Sequence, residues 1–173
     1  DEIRAQLGDL PLIAEDLGVI TPEVDALRHA AKLPGMRVLQ FAFGGATEDR
    51  FLPHMYERDT VVYTGTHDND TTTHDNDTTR GWYEHITEPE RDRVRRYLAC
   101  DGRDVAWDMI RAAWMSVADL AVAPLQDVLD LGSAARMNTP GQPGGNWGWR
   151  LRPGQLQPWQ RDRLGDLTAL YAR

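Results

Sequence analysis

Three short stretches of this sequence end in groups able to move a proton or hold charge. Glu15-Asp16 follows the apolar run PLIA, Thr66-His67-Asp68 follows TVVYTG, and Gln126-Asp127 follows DLAVAPL. Carboxylates in such places suit glycoside chemistry, where one carboxylic acid protonates the departing oxygen and others stabilise an oxocarbenium-like transition state. That acid has to keep its proton near neutral pH, through burial or a negative neighbour. Adjacent strand residues point to opposite sides, so only one of Glu15 and Asp16 can aim into a common site. The plainer alternative is that such a Glu-Asp pair is a helix cap or surface charge.

Two further stretches carry polar chemistry. Residues 66–72 read THDNDTT, and residues 73–79 read THDNDTT again. His67, Asp68, Asp70, His74, Asp75 and Asp77 offer nitrogen and oxygen ligands, so a metal loop is one reading. A duplication within an otherwise single-copy site is the other, and perfect identity favours it over a tuned ligand cage. Residues 135–154, ARMNTPGQPGGNWGWRLRPG, gather Asn138, Asn146, Trp147 and Trp149 among glycines and prolines. Indole faces stack on sugar rings and amides bond hydroxyls, whereas large aromatics under a long loop commonly serve as core.

The elements that must position these residues follow from pattern. Residues 11–14 form an apolar run between Pro11 and Gly18, the signal of a buried strand. Thr21, Pro22 and Glu23 then start a helix as cap, first helical residue and dipole partner. Val24, Leu27 and Ala31 share one of its faces, and Pro34-Gly35 stops it. Strands are predicted over 36–43, 60–65 and 119–125. Helices are predicted over 88–99, over 104–118 with Met109, Ile110, Ala113, Trp114 and Val117 as the apolar stripe, and over 159–172 with Leu164, Leu167 and Tyr171 inward. Strands alternating with helices indicate a parallel α/β architecture, whose functional face lies at the carboxyl ends of the strands. Four strands make an open sheet or half a (β/α)8 barrel. No G-x-G-x-x-G loop follows the first strand, which argues against a dinucleotide-binding sheet.

Composition narrows the classes. The chain has 173 residues, of which 41% are hydrophobic and 27% charged, as expected of a globular protein. A net charge of −8 disfavours nucleic acid as a partner. No apolar run reaches the ~20 residues that cross a bilayer, so no membrane partner is expected. The single cysteine, Cys100, has no internal disulfide partner, which fits a cytoplasmic setting. The chain opens on Asp1, in what reads as the end of a helix running into a strand, as a chain beginning in mid-unit would.

In order, LIAEDLGVITPEVDALR, LPGMRVLQFAF, VVYTGTHDNDTT, RGWY, PLQDVLDLG, ARMNTPG and GNWGWR resemble the hallmark segments of the 4-α-glucanotransferases (amylomaltases, or disproportionating enzymes) of glycoside hydrolase family 77. The resemblance spans nearly the whole chain. It implies the C-terminal half, about strands 5–8, of a (β/α)8 barrel, as a single partial catalytic domain. The implied activity transfers α-1,4-glucan segments to the 4-hydroxyl of an acceptor, with retention, through a covalent intermediate and without a cofactor. Glu15 matches the general acid/base, Asp68 the transition-state stabiliser, and His67 a histidine that bonds a sugar hydroxyl; Asn138 and Asn146 fall in loops near the substrate groove, and Trp147 stands beside them as a substrate-binding candidate on its aromatic chemistry. The family pattern has one THDNDTT, so counting back from Arg80-Gly81-Trp82 assigns the stabiliser to Asp75 instead. The family's nucleophilic aspartate has no counterpart here, and the isolated chain is expected to be inactive. The rival readings are a hydrolase of the α-amylase class and a degenerate, non-catalytic glucan-binding fragment.

Overall fold

The fold is described from a computed structural model, covering residues 5, 6, 8, 10–44, 49–66 and 77–173. Valines in the TVVY segment suit a strand buried on both faces, and this segment is the middle of a three-stranded parallel sheet. Its order is β1 (Gly35–Val38), β2 (Thr60–Tyr63), β3 (Leu120–Val122). Gly35 stands opposite Thr60, and Val61 opposite Leu120.

The predicted strand over 36–43 is only half strand. It leaves the sheet after Val38 and turns into a 3-10 helix, Leu39–Phe43, in which Leu39, Gln40, Ala42 and Phe43 are buried. An unbroken apolar run cannot by itself separate strand from buried helical turn. Residues 11–14, expected as a buried strand, join no ladder. Ala14 donates one backbone bond to the carbonyl of Pro34 at 2.9 Å, and Leu12 and Ile13 are exposed.

Helix α1 (Pro22–Ala30) starts where Thr21-Pro22 predicted. Its orientation differs from the apolar pattern: Val24 and Leu27 face solvent and Arg28 is buried. The Arg28 guanidinium lies among Asp16, Asp25, Glu57 and Asp59, at 3.2–3.8 Å. A buried cation needs such partners, and here they decide which face turns inward.

A helix not foreseen in the sequence, α2 (Thr79–His85), begins on the second copy of the repeat. Helices α3 (Glu88–Leu98) and α4 (Val105–Met115) fall where predicted. Glu90 reaches back to the Thr87 backbone N–H at 2.7 Å, closing the start of α3. Met109, Ile110 and Ala113 of α4 are buried, whereas Val117 lies beyond its end and is exposed. The main core joins Leu39, Phe43, Val62, Trp82, Val94 and Met109 between sheet and helices. A short helix, α5 (Leu125–Val128), follows β3, and α6 (Pro158–Leu170) lays Leu164 and Leu167 on Trp107, Ile110 and Val128. Among the described residues no helix is long and apolar enough to cross a membrane.

Candidate active site

A pocket of about 370 Å³ opens at the carboxyl ends of the three strands, within the size range of small-molecule sites. All three strands contribute: Met36 within β1, Tyr63 at the end of β2 with Gly65 and Thr66 beyond it, and Val122 at the end of β3 with Pro124 and Gln126 beyond it. Glu15 and Leu17 close one side, Asp77 and Thr78 another, and Arg136, Met137 and Trp147 of the long loop a third. Burial pushes the half-buried Tyr63 phenol up from its usual pKa, so it remains a neutral donor and acceptor.

Glu15 and Asp16 differ in burial, although neither lies in a strand. The Asp16 side chain is buried; its carboxylate accepts the Met36 N–H at 2.6 Å and an Arg37 Nη1–H at 2.9 Å. Arg28 approaches the same carboxylate at 3.8 Å. Glu15 is exposed at the pocket, and no hydrogen bond from a described residue engages its carboxylate. Of the pair, Glu15 is therefore the side chain available to a ligand.

The other carboxylates near the strand ends among the described residues, Asp77 and Asp127, are committed to the fold. Asp77 accepts the Thr78 N–H at 2.8 Å and the Ser133 hydroxyl. The Gly81 backbone lies so close to Ser133 Oγ and Asp77 that a Cβ there would collide with both. Gln126-Asp127, expected as the end of a strand, sits in α5. Asp127 accepts from Thr64 Oγ1 at 2.5 Å, Thr79 Oγ1 at 2.8 Å and the Thr79 N–H at 2.7 Å. It thereby ties the end of β2 to the start of α2. Desolvation raises its pKa.

His67, Asp68 and Asp75 lie outside the described residues. Their flanks are fixed: Thr66 and Asp77 both line the pocket. In the long loop, Trp147 lines the pocket, with a left-handed backbone at φ 60° and its N–H bonded to the Met137 carbonyl at 2.5 Å. Asn146 instead braces its own loop, accepting from the Thr139 N–H at 2.9 Å and donating to the Gln142 carbonyl at 3.0 Å. Asn138 is not among the lining residues, but its neighbours Arg136 and Met137 are. Sequence reasoning missed Tyr63, Arg136 and Met137. Tyr63 was findable, since its position in the β2 pattern places it next to the loaded strand end.

The sequence profile described as 4-alpha-glucanotransferase, glycoside hydrolase 77, matches residues 1–73 and 70–157. The chain belongs to this family. Its two matched stretches overlap inside the THDNDTT repeat. The 4-alpha-glucanotransferase of Synechocystis sp. is 51% identical over 170 residues, covering 96% of this chain and 32% of that protein. The Thermus thermophilus enzyme of the same name is 53% identical over 171 residues, covering 94% of this chain and 33% of that protein. Amylomaltase from Streptococcus agalactiae, solved in complex with acarbose, superposes with a TM-score of 0.88 at 32% identity, over 99% of this chain and 34% of that one. The family member described here thus spans about a third of the length of the relatives it matches.

Proposed function

We propose that these residues form part of a 4-alpha-glucanotransferase active site acting on α-1,4-glucans, with Glu15 as general acid/base. The observation that carries this is the division at residues 15 and 16: Asp16 is locked in the fold, while Glu15 faces a pocket at the strand ends. In the first half-reaction the bond from the anomeric carbon to the glycosidic oxygen breaks and a bond to a carboxylate nucleophile forms. Glu15 gives its proton to the departing oxygen. In the second, the acceptor's 4-hydroxyl oxygen bonds the anomeric carbon, the nucleophile leaves, and the hydroxyl proton returns to Glu15. The nucleophile would come from outside these residues, and the stabiliser from Asp68 or its duplicate Asp75. Trp147 offers a flat face to a sugar ring, and His67, Asn138 and Asn146 remain candidates for hydroxyl contacts. On this reading the parallel sheet is part of a (β/α)8 barrel.

The test uses a hybrid enzyme in which this chain, with a single copy of the repeat, replaces the matched region of the Synechocystis relative. Glu15→Gln should lower disproportionation of maltotriose about 100-fold or more, the usual worth of a general acid. α-Maltosyl fluoride, whose leaving group needs no proton, should recover glycosylation. Near-normal maltotriose transfer by Glu15→Gln overturns the assignment. In the parent hybrid, an excess of longer glucans over free reducing sugar separates a transferase from a hydrolase.

A further inference from the structure

Resting on that reading of Glu15, we propose that Asp16 is a positioning residue for catalysis, acting through the backbone to hold Glu15 in its protonating direction. The carboxylate of Asp16 is gripped from three sides: the Met36 N–H at 2.6 Å, Arg37 at 2.9 Å and Arg28 at 3.8 Å. Arg28 and Arg37 come from different elements, α1 and β1, and both are buried. A third arginine, Arg50, donates to the main-chain carbonyl of Asp16. Side chain and backbone of one residue are thus fixed together.

Gly35 completes the grip. A Cβ at this position would stand 2.7 Å from Asp16 Oδ2, so the absence of a side chain lets the carboxylate seat against β1. The need is local, because residues 11–17 lie in no strand ladder and are otherwise held by the Ala14 bond to the Pro34 carbonyl and by Leu17 against the core. The Asp16 side chain is buried while that of Glu15 is exposed at the pocket. Locking Asp16 inward therefore aims Glu15 outward, into the pocket. Surface salt bridges contribute little, but this one is buried, and removing Asp16 leaves the buried Arg37 guanidinium without its carboxylate, while Arg28 keeps Asp25, Glu57 and Asp59. Misplacing a catalytic group by about 1 Å can cost about 100-fold in rate.

Two variants of the hybrid enzyme test the proposal. Asp16→Asn keeps the shape and the bond from Met36 but drops the charge that pairs with Arg37. Gly35→Ala keeps the charge and pushes the carboxylate off its seat. Each should lower kcat for maltotriose about 10- to 100-fold, with KM changed less than about twofold. Each should keep most of the parent's glycosylation rate with α-maltosyl fluoride, because only the proton-dependent step relies on Glu15. Combined with Glu15→Gln, Asp16→Asn should cost nothing more on maltotriose. Equal loss on both donors means a purely structural role and overturns the proposal, as does unchanged kcat in both variants. If Glu15→Gln alone is harmless, the acid assignment fails instead, so the two failures are distinct.

Discussion

Asp127 is 1% exposed, and every partner it has among the described residues is a neutral donor. A carboxylate held by hydroxyls and one N–H, with no cation, retains much of its desolvation cost. Its alanine variant would leave the Thr79 N–H buried without an acceptor, at a cost of about 1–3 kcal/mol. Asp127→Asn should cost less, because its carbonyl still accepts that bond; urea unfolding measures both. The pH dependence follows from the raised pKa. The folded state favours the protonated acid, so Asp127's contribution is fully present below its ordinary value of 3.8 and declines as pH rises through the higher folded value. Wild type should therefore gain on Asp127→Asn as pH falls through that window. An alanine variant as stable as wild type at neutral pH would show that Asp127 ties nothing together. Loaded residues were thus visible in the sequence, but their division of labour was not. Glu15, Asp16, Asp77 and Asp127 look alike as letters. Only the donors brought by Arg37, Ser133 and Thr79 separate the available carboxylate from the structural ones.

Between β2 and α2 the two identical heptads do different work. The first copy supplies Thr66 beside the strand end, and the second supplies Asp77, Thr78 and Thr79, which start the helix. Deleting residues 73–79 places Asp70, Thr71 and Thr72 directly before Arg80, the same residue types in the same order. The anchors on Asp127 and Ser133 can then re-form while the connection shortens. Closing a shorter connection between the same two anchors should stabilise the chain by about 1 kcal/mol, at ~0.6 kcal/mol per halving of length. A raised urea midpoint with an unchanged m-value would show this. A lower midpoint would mean that the extra heptad contributes contacts of its own. Other elements show what local pattern can and cannot carry. The start of α3 is a local matter: Thr87 and Glu90 cap it around Pro89, and capping is chemistry between near neighbours. Helix α2 was hidden, because TRGWYEH carries a helix-weakening glycine at 81. That glycine is there for the distant Ser133, which no local window contains. The exposed face of α1 has the same origin: a set of acids from α1 itself and two distant segments, Asp25, Asp16, Glu57 and Asp59, outweighs the apolar spacing of Val24 and Leu27.

At the scale of the molecule, the pocket is built on one face of a small sheet, and apolar side chains remain open on the segments around it. Leu12 and Ile13 beside β1, Leu27 on α1 and Leu120 on β3 are all at least 42% exposed. The chain covers about a third of the relatives' length, so a retaining reaction run by this chain would lack two thirds of the family's sequence. On the proposed reading Glu15 donates a proton, but donation without a carboxylate to capture the anomeric carbon gives no glycosyl intermediate. Loss of one member of a catalytic set costs several orders of magnitude. Purified residues 1–173, incubated with maltotriose, should therefore release no glucose and form no longer oligomers, whereas the hybrid carrying the rest of the Synechocystis sequence should do both. Chromatography of the products reads the outcome directly. Turnover by the isolated chain at the hybrid's rate would place a nucleophile within these residues. The first carboxylate to examine would then be Asp77, the other acidic side chain lining the pocket among the described residues.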